Sequence, residues 1–460
     1  MVQVGGKKNL QMKKVNFFTL SLLLILCSTA EAQVTDSAKA WTISDCFKYA
    51  SEHNIQINTL RLNEQSTYQD LWASKGLKIP SLSASVSNSF NNANNSNGSG
   101  SLVNQLTNSG SYSVNSGIVL WNGNSINNTI QQRELLTQSA GLSVQQSFNT
   151  ITLEITQAYL DILLAKENLK YITDLVSTSE ARVKQGQQFY DAGSIAKKDL
   201  LQLQAQLASD KYLLVQTQNA IRQNVLSLKQ ILQLPVDTTF DVITPDSATV
   251  IPAPVLQPLQ EVQQAALRDF PEIKIGKLGV DVASLDIAQA RSGFKPTLTA
   301  NGAMGSGYSD VITNSVFPKT NFFRQNGNNF YQRLGVTLSV PIFSNRSNKA
   351  NLEKANIAFK EANLNWQNDQ LVLSQAVEQA YLNASNAMQS YEAANQQLQA
   401  AAESYRITNE QFKLGAINIY DLLQQRNQYV QAVQAFTQAK YTAVLQQKIY
   451  EFYMGNPVTL

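Results

Sequence analysis

Nine apolar residues, Phe148, Ile151, Ile155, Ala158, Ile162, Ala165, Leu169, Ile172 and Val176, are spaced alternately three and four positions apart. A seam that repeats every seven residues is the pattern of helices packed as coiled coils. No proline occurs from Ser81 to Leu234 to interrupt it. A helix from Asn124 to Tyr190 holds 67 residues and spans roughly 100 Å. Moved by 222 positions the seam recurs as Gln370, Leu373, Val377, Ala380, Ala384, Ala387, Tyr391, Ala394 and Leu398, inside a second proline-free stretch from Ile342 to Asn456. The other faces of both helices are rich in Gln, Asn, Ser, Thr and Ala with few charges. Such faces suit an ordinary solvated surface or the wall of a water-filled passage.

Elsewhere the period changes from seven to two. Ser81–Asn88 and Tyr112–Leu120 alternate, with Tyr112, Val114, Ile118 and Leu120 on one side. Leu298, Ala300, Gly302 and Met304 form a third alternating run, and Leu334, Val336, Leu338, Val340 and Ile342 a fourth. Each run is near the length of about ten residues that crosses a bilayer as a tilted strand. Aromatics stand near the ends: Phe90, Tyr112, Trp121, Tyr308 and Phe343. Between the runs, Asn88–Gly110 and Gly307–Asn329 are expected to be exposed loops, the first composed mostly of Asn, Ser and Gly.

The chain is therefore written twice. The shift is 216 before the strands (Pro80 and Pro296) and 222 after them (Gln157–Leu160 and Gln379–Leu382, both QAYL). The first repeat covers 33–234, with a hairpin at about 81–121 and a helical turn at about 190–199. The second covers 259–460, with a hairpin at about 297–343 and a turn at about 412–421. The Pro-rich stretch 235–258 reads as an extended connector. At the two helical turns FYDAGSIAKKDLLQ and QFKLGAINIYDLLQ place Gly193 and Gly415 where a helix ends and a second begins. Glycine there adopts the left-handed cap, and Asn418 is a good N-cap with Asp421 three residues on.

Residues 1–32 have Lys13 and Lys14, an apolar core from Phe17 to Leu26, and Ala30-Glu31-Ala32, and read as a cleaved signal peptide. Leu26 is too large for the position before a lipidated Cys27. The remainder carries 32 basic and 32 acidic residues, so charge gives no argument for a nucleic-acid partner. Cys46 is the one cysteine left and reads as a small buried residue, which excludes an internal disulfide. No phosphate-binding loop, HExxH or Ser/His/Asp constellation is found, and His53 is the sole histidine. The expectation is neither an enzyme nor a holder of a cofactor or metal. After the signal there is no run of 18 apolar residues, so a membrane span has to be a β-barrel. Four strands cannot close one, because bacterial barrels begin at about eight.

The duplicated order, the WTISDCFKYASEHNIQI segment at Trp41–Ile57, the motif ending KIPSL and the two Gly-then-Asp turns resemble the TolC family of outer-membrane efflux and secretion channels. The resemblance covers nearly the whole mature chain. It implies a mainly α protein with a membrane β part: a homotrimer whose twelve-stranded barrel continues into a coiled-coil tunnel across the periplasm, joined to an inner-membrane transporter by a periplasmic adaptor. It also implies that the tips constrict the pore and dock the adaptor. The aromatic before each tip glycine matches Tyr190 and Phe412, and the aspartate after it matches Asp199 and Asp421. An arginine that helps lock the tunnel in the best-known members is Ile417 here, and a further acidic position is Gln424. A differently held closed state and weaker cation selectivity follow, with Lys197 and Lys198 read as solvated. The rival reading, a periplasmic coiled-coil tether without a pore, explains the helices but not the alternating strands.

Overall fold

The computed structural model describes residues 40–96, 100–245, 251–252, 256–312 and 321–459. The segment read as a signal peptide, Cys27 included, lies outside them.

The first repeat runs β1 (Ala40–Trp41), α1 (Ile43–His53), α2 (Ile55–Gly76), β2 (Ser81–Ser96), β3 (Leu102–Trp121), α3 (Ser125–Asp191) and α4 (Lys197–Leu232). The connector supplies β4 (Asp241–Val242), which pairs in parallel with β1. The second repeat runs α5 (Leu259–Asp269), α6 (Pro271–Ser292), β5 (Thr297–Val311), α7 (Phe322–Asn328), β6 (Tyr331–Ser339), α8 (Ser347–Lys413) and α9 (Ile419–Phe452). Corresponding elements match in length: α1 and α5 have 11 residues, α2 and α6 have 22, and α3 and α8 have 67.

Local chemistry sets the helix starts. Thr42 and Asp45 form a reciprocal capping box at α1. The long helices leave the sheet through a tight turn with two left-handed residues, Gly123 (φ 66°) and Asn124 (φ 78°) before α3, Asn345 (φ 47°) and Arg346 (φ 65°) before α8. Ser125 N–H donates to the Asn122 carbonyl at 3.2 Å, and Ser347 N–H to Ser344 at 2.8 Å. The central pair Gly123-Asn124 suits such a turn, whereas Arg346 holds it at a cost on the order of 1 kcal/mol.

The seven-residue seam is the core. Ile151, Ile155, Ala158, Ile162, Ala165, Ile172 and Val176 are buried, as are Leu373, Val377, Ala380, Ala384, Ala387 and Ala394 in the second copy. Around α3 the seam packs against Ile43, Cys46 and Ala50 of α1, Leu228 and Leu232 of α4, and Tyr441 and Val444 of α9. Around α8 it packs against Val262 and Ala266 of α5 and Tyr450 of α9. Fully buried side chains of this kind contribute about 1.5–3 kcal/mol each. Cys46 occupies in α1 the seat Val262 takes in α5, and burial pushes its thiol up to about 12, so it acts as a small apolar residue. In the upper half the neighbouring helices follow the order α2, α3, α6, α8 and form a wall. Among the described residues no helix is long and apolar enough to cross a membrane.

The strands form one antiparallel sheet in the order β2-β3-β5-β6. Three expectations need correction. Asn88–Gly110 is not mainly a loop: β2 continues to Ser96 and β3 begins at Leu102. Its serines and asparagines pair across the hairpin, with Ser87–Ser111 at 2.8 Å and Ser89–Ser109 at 3.0 Å, so extension does not need an apolar face there. Gly307–Asn329 likewise starts with the end of β5 and contains α7, with 313–320 outside the described residues. The alternation predicts a fourth strand as far as Ile342, but β6 stops at Ser339, because Pro341 has no N–H to offer a ladder.

Candidate functional site

The two helical hairpins, α3–α4 and α8–α9, end in the same motif. Gly193 (φ 75°) and Gly415 (φ 72°) are left-handed. Gly193 N–H donates to the Tyr190 carbonyl at 2.9 Å and Ser194 N–H to Phe189 at 2.7 Å. Gly415 N–H donates to Phe412 and Ala416 N–H to Gln411, both at 2.9 Å. This double bond pattern closes the carbonyls of a helix end. The returning helix starts four residues after each glycine, with Asp199 and Asp421 in the same first-turn position. The Asn418 side chain accepts the Asp421 N–H at 3.0 Å, whereas Ala196 gives the first tip no side-chain cap.

The tips meet through an apolar knot. Leu203 of α4 packs with Ile419, Leu422 and Leu423 of α9, and Val183, Tyr405, Phe412 and Ile417 join them. Ile417 is thus held by dispersion and partial burial. Gly186 lets α3 approach this knot: a Cβ there would lie 2.5 Å from Leu203 Cδ1. Of the residues singled out from sequence, Phe412 and Ile417 enter the contact, Asp199 is half-buried, and Tyr190, Gly193, Gly415, Asp421 and Gln424 are exposed. Lys197 and Lys198 are also exposed.

Just above the knot is a polar cluster that sequence reasoning missed. Arg426 of α9 donates to Asp210 of α4 and, at 2.9 Å, to Ser179 of α3. The Arg426 and Asp210 side chains are 1% and 5% exposed. Arg182 of α3 donates to Tyr405 Oη at 3.0 Å and Asn409 Oδ1 at 2.8 Å, both on α8. Tyr429 lies between Tyr405, stacked at 5.4 Å, and Tyr171, edge-on at 6.3 Å. Burial pushes the Tyr171 phenol well above its ordinary range. A signal was present. Asp210 follows Leu200, Leu203 and Leu207 at seam spacing, and Arg426 follows Ile419, Leu422 and Leu423; both are charges seated in an apolar stripe.

At the other end, residues opposite one another in the sheet share a face. Odd-numbered positions give the row Ser83–Asn115–Ala303–Arg333, flanked by Ser85–Ser113–Gly305–Tyr331. Even-numbered positions give Leu82, Val86, Val114, Ala300, Leu334, Val336 and Leu338. A bulge at Leu120 breaks this parity and aims Trp121 to the apolar face opposite Leu298. Tyr112 and Tyr308 stand higher on that face, with Phe322 of α7 against Tyr308 at 4.8 Å. The nine steps from Tyr112 to Trp121, at about 3.3 Å each and a tilt of about 40°, give about 23 Å of height against an apolar band of about 25 Å. The apolar face is open: Leu82, Val86 and Leu334 are 77%, 74% and 88% exposed. Among the described residues both outer strands, β2 and β6, have a free edge. Beyond the start of β6, α7 covers β5, where Gln325 Oε1 accepts the Ser309 N–H at 3.0 Å.

A model of the outer membrane efflux protein family matches residues 48–233 and again 262–449. The outer membrane protein TolC of Vibrio cholerae serotype O1 is 20% identical over 442 residues, covering 92% of this chain and 93% of that protein. The crystal structure of CusC superposes with a TM-score of 0.76 at 15% identity, covering 90% of this chain and 92% of that one. The outer membrane protein VceC of Vibrio cholerae superposes at 0.74 with 12% identity, covering 90% and 96%. With both repeats matched by one family model and the same fold in these structures, the chain belongs to the outer membrane efflux proteins: it is an outer-membrane channel of the TolC family, a transport protein and not an enzyme.

Proposed function

We propose that three copies of this chain form the exit duct of a tripartite efflux or type I secretion assembly. The observation that carries the reading is the four-stranded sheet with, among the described residues, two unpaired edges and one exposed apolar face. In lipid an unpaired edge costs several kcal/mol per orphaned group, so β6 of one copy has to meet β2 of the next. Two copies supply eight strands and three supply twelve; twelve is the number the family resemblance favours. The helices then continue the cylinder into the periplasm, with the hairpin tips at its far end. Tyr190, Gly193, Asp199, Phe412, Gly415, Ile417, Asp421 and Gln424 are the residues proposed to narrow the pore and receive a periplasmic adaptor, which links to an inner-membrane transporter.

Conduction is passive. An adaptor favours the open duct only by binding it more tightly than the closed one; turning a 1:99 population into 99:1 needs about 10⁴-fold preference. The purified protein in mild detergent is expected to have the mass of a trimer, resist SDS before heating, and form channels in planar bilayers. A monomer extracted without detergent would support the tether instead.

Ion preference follows from the polar face. Arg333 is the only charged side chain there among the described strand residues, and its cross-strand neighbour Ala303 leaves it exposed. Three copies make a ring of positive charge, a device that favours anions. Arg333→Ser is expected to move the reversal potential in a salt gradient toward cation preference. The shift grows at low ionic strength, where the Debye length lengthens from about 8 Å at 0.15 M to about 30 Å at 0.01 M.

A further inference from the structure

Charge is segregated where the helices meet the sheet. Antiparallel pairing brings the starts of β2 and β5 and the ends of β3 and β6 to one end of the sheet, so all four junctions with the helices lie there. The junction segments 71–81, 121–131, 287–297 and 339–349 hold six basic residues, Lys75, Lys78, Arg291, Lys295, Arg346 and Lys349, and no acidic one. The mature chain as a whole has 32 of each, so this end is a basic belt on a neutral protein. All six are exposed. Lys75 reaches Glu134 of α3 at 3.5 Å, and the other five make no ion pair among the described residues. Lys295 Nζ donates to the Gly123 carbonyl at 3.4 Å, two residues beyond Trp121, which fixes the belt just past the edge of the apolar face.

Helix ends explain only part of it. Lys75 and Arg291 stand in the last turns of α2 and α6, where a cation complements the helix dipole. Arg346 and Lys349 stand at the opposite kind of end. They open α8, whose first turn has no acidic residue, and a cation there faces the positive end of the dipole. Arg346 is also left-handed, at φ 65°. The turn requires neither charge: 222 positions earlier Asn124 and Asn127 open α3, a helix of the same length. Local structure thus disfavours two charges that it could do without, and an anion outside the chain supplies what the helix end lacks. The surface beside them is apolar and bare. Ile342 and Phe343 are 95% and 81% exposed, and Phe294, next to Lys295, is exposed too. Apolar and aromatic side chains bordered by cations suit a membrane surface, where rings sit at headgroup level and basic side chains meet phosphates.

We propose that this belt binds the phosphates of anionic phospholipids in the leaflet that faces the periplasm. The proposal rests on the channel reading, in which β6 of one copy closes against β2 of the next. That closure sets Arg346 and Lys349 beside Lys78 of the partner subunit. Like charges gathered at a subunit joint repel, and a lipid phosphate between them turns the repulsion into a bridge. The headgroup then ties two copies together and holds the barrel at a fixed depth in the bilayer.

The test uses the full-length protein in mild detergent, supplied with phosphatidylglycerol or phosphatidylcholine. Native mass spectrometry counts the retained lipid, and the temperature at which the SDS-resistant species dissociates reports assembly. The wild type is expected to retain phosphatidylglycerol over phosphatidylcholine by about tenfold and to dissociate at a higher temperature in its presence. Both effects shrink in about 1 M salt, where the Debye length falls to about 3 Å. Arg346→Asn combined with Lys349→Asn copies the first repeat and is expected to lose about tenfold in phosphatidylglycerol retention, together with the thermal gain. Lys197→Asn combined with Lys198→Asn removes the same charge at the far end of the helices and is expected to keep both. Equal retention of the two lipids by the wild type, or an undiminished preference in the Arg346/Lys349 variant, overturns the belt. An equal thermal gain from inorganic phosphate overturns the lipid as its ligand. A variant that alters ion selectivity in planar bilayers with lipid preference intact places the cations on the duct wall and also overturns it. If the Arg346/Lys349 variant fails to assemble, an undiminished preference in Lys78→Gln overturns the belt by itself. A trimer indifferent to lipid removes the belt alone, whereas a wild type that is monomeric in mild detergent removes the channel reading itself.

Discussion

Replacing Gly193 and Gly415 together with proline abolishes export but leaves the SDS-resistant assembly in place. Proline fixes φ near −65°, whereas these positions sit at 75° and 72°. The substitution also deletes the N–H groups that bond the Tyr190 and Phe412 carbonyls. Each tip loses its closing motif and the returning helix its direction, so Asp199 and Asp421 no longer sit where they do now. Alanine at the same positions is a milder probe, since a left-handed alanine costs roughly 1–2 kcal/mol but keeps the hydrogen bond. The effect stays local because the space beside the glycines is open: a Cβ built on either meets nothing within 4 Å among the described residues. The measurements are export from intact cells and gel mobility before and after heating. Undiminished export from the proline variant removes the tips from the mechanism.

Leu334→Lys prevents assembly, whereas Ser85→Lys on the opposite face of the sheet does not. Leu334 is on the even-numbered face, 88% exposed and opposite Gly302. Ser85 is on the odd-numbered face, bonded to Ser113 at 2.8 Å. A lysine in contact with lipid at mid-depth costs about 2–4 kcal/mol. Three copies multiply that cost in one cylinder. On the polar face the same side chain extends into water and loses one Ser–Ser hydrogen bond, worth about 1 kcal/mol. Outer-membrane yield and heat-modifiable mobility of the two variants distinguish the faces. Equal tolerance would mean that the apolar face meets something other than lipid.

The duplication and the long helices were legible to within a residue, because periodicity and the absence of proline are properties of a single helix. The shift of 222 recurs in the fold as α3 and α8, each of 67 residues. The strands were legible only where they alternate. From Asn88 to Gly110 both faces are polar, so the period of two is present in the backbone and absent from the hydropathy. The bulge at Leu120 and the helix α7 were not legible, since each depends on the neighbouring strand β5. At the tips the glycines were legible, because each ends a long helical pattern at a left-handed cap. The sequence did not reveal that Ile417 joins an apolar knot or that a charge pair sits beside it. Asp210 and Arg426 stand out only when their seats in the leucine stripe are compared, and they lie 17 and 11 positions from the tip glycines.

The equal length of α3 and α8 carries a mechanical consequence. Both tips must finish at one level, so the chain contains a single measurement of distance recorded in duplicate. Removing one heptad from α3 alone would stagger the tips by about 10 Å and shift Ser179 out of step with Asp210 and Arg426. Removing it from both outgoing helices, with the same deletion from both returning ones, would shorten the conduit and keep its mouth even. Change in reach is therefore available to this architecture only in matched steps of whole heptads, four helices at a time.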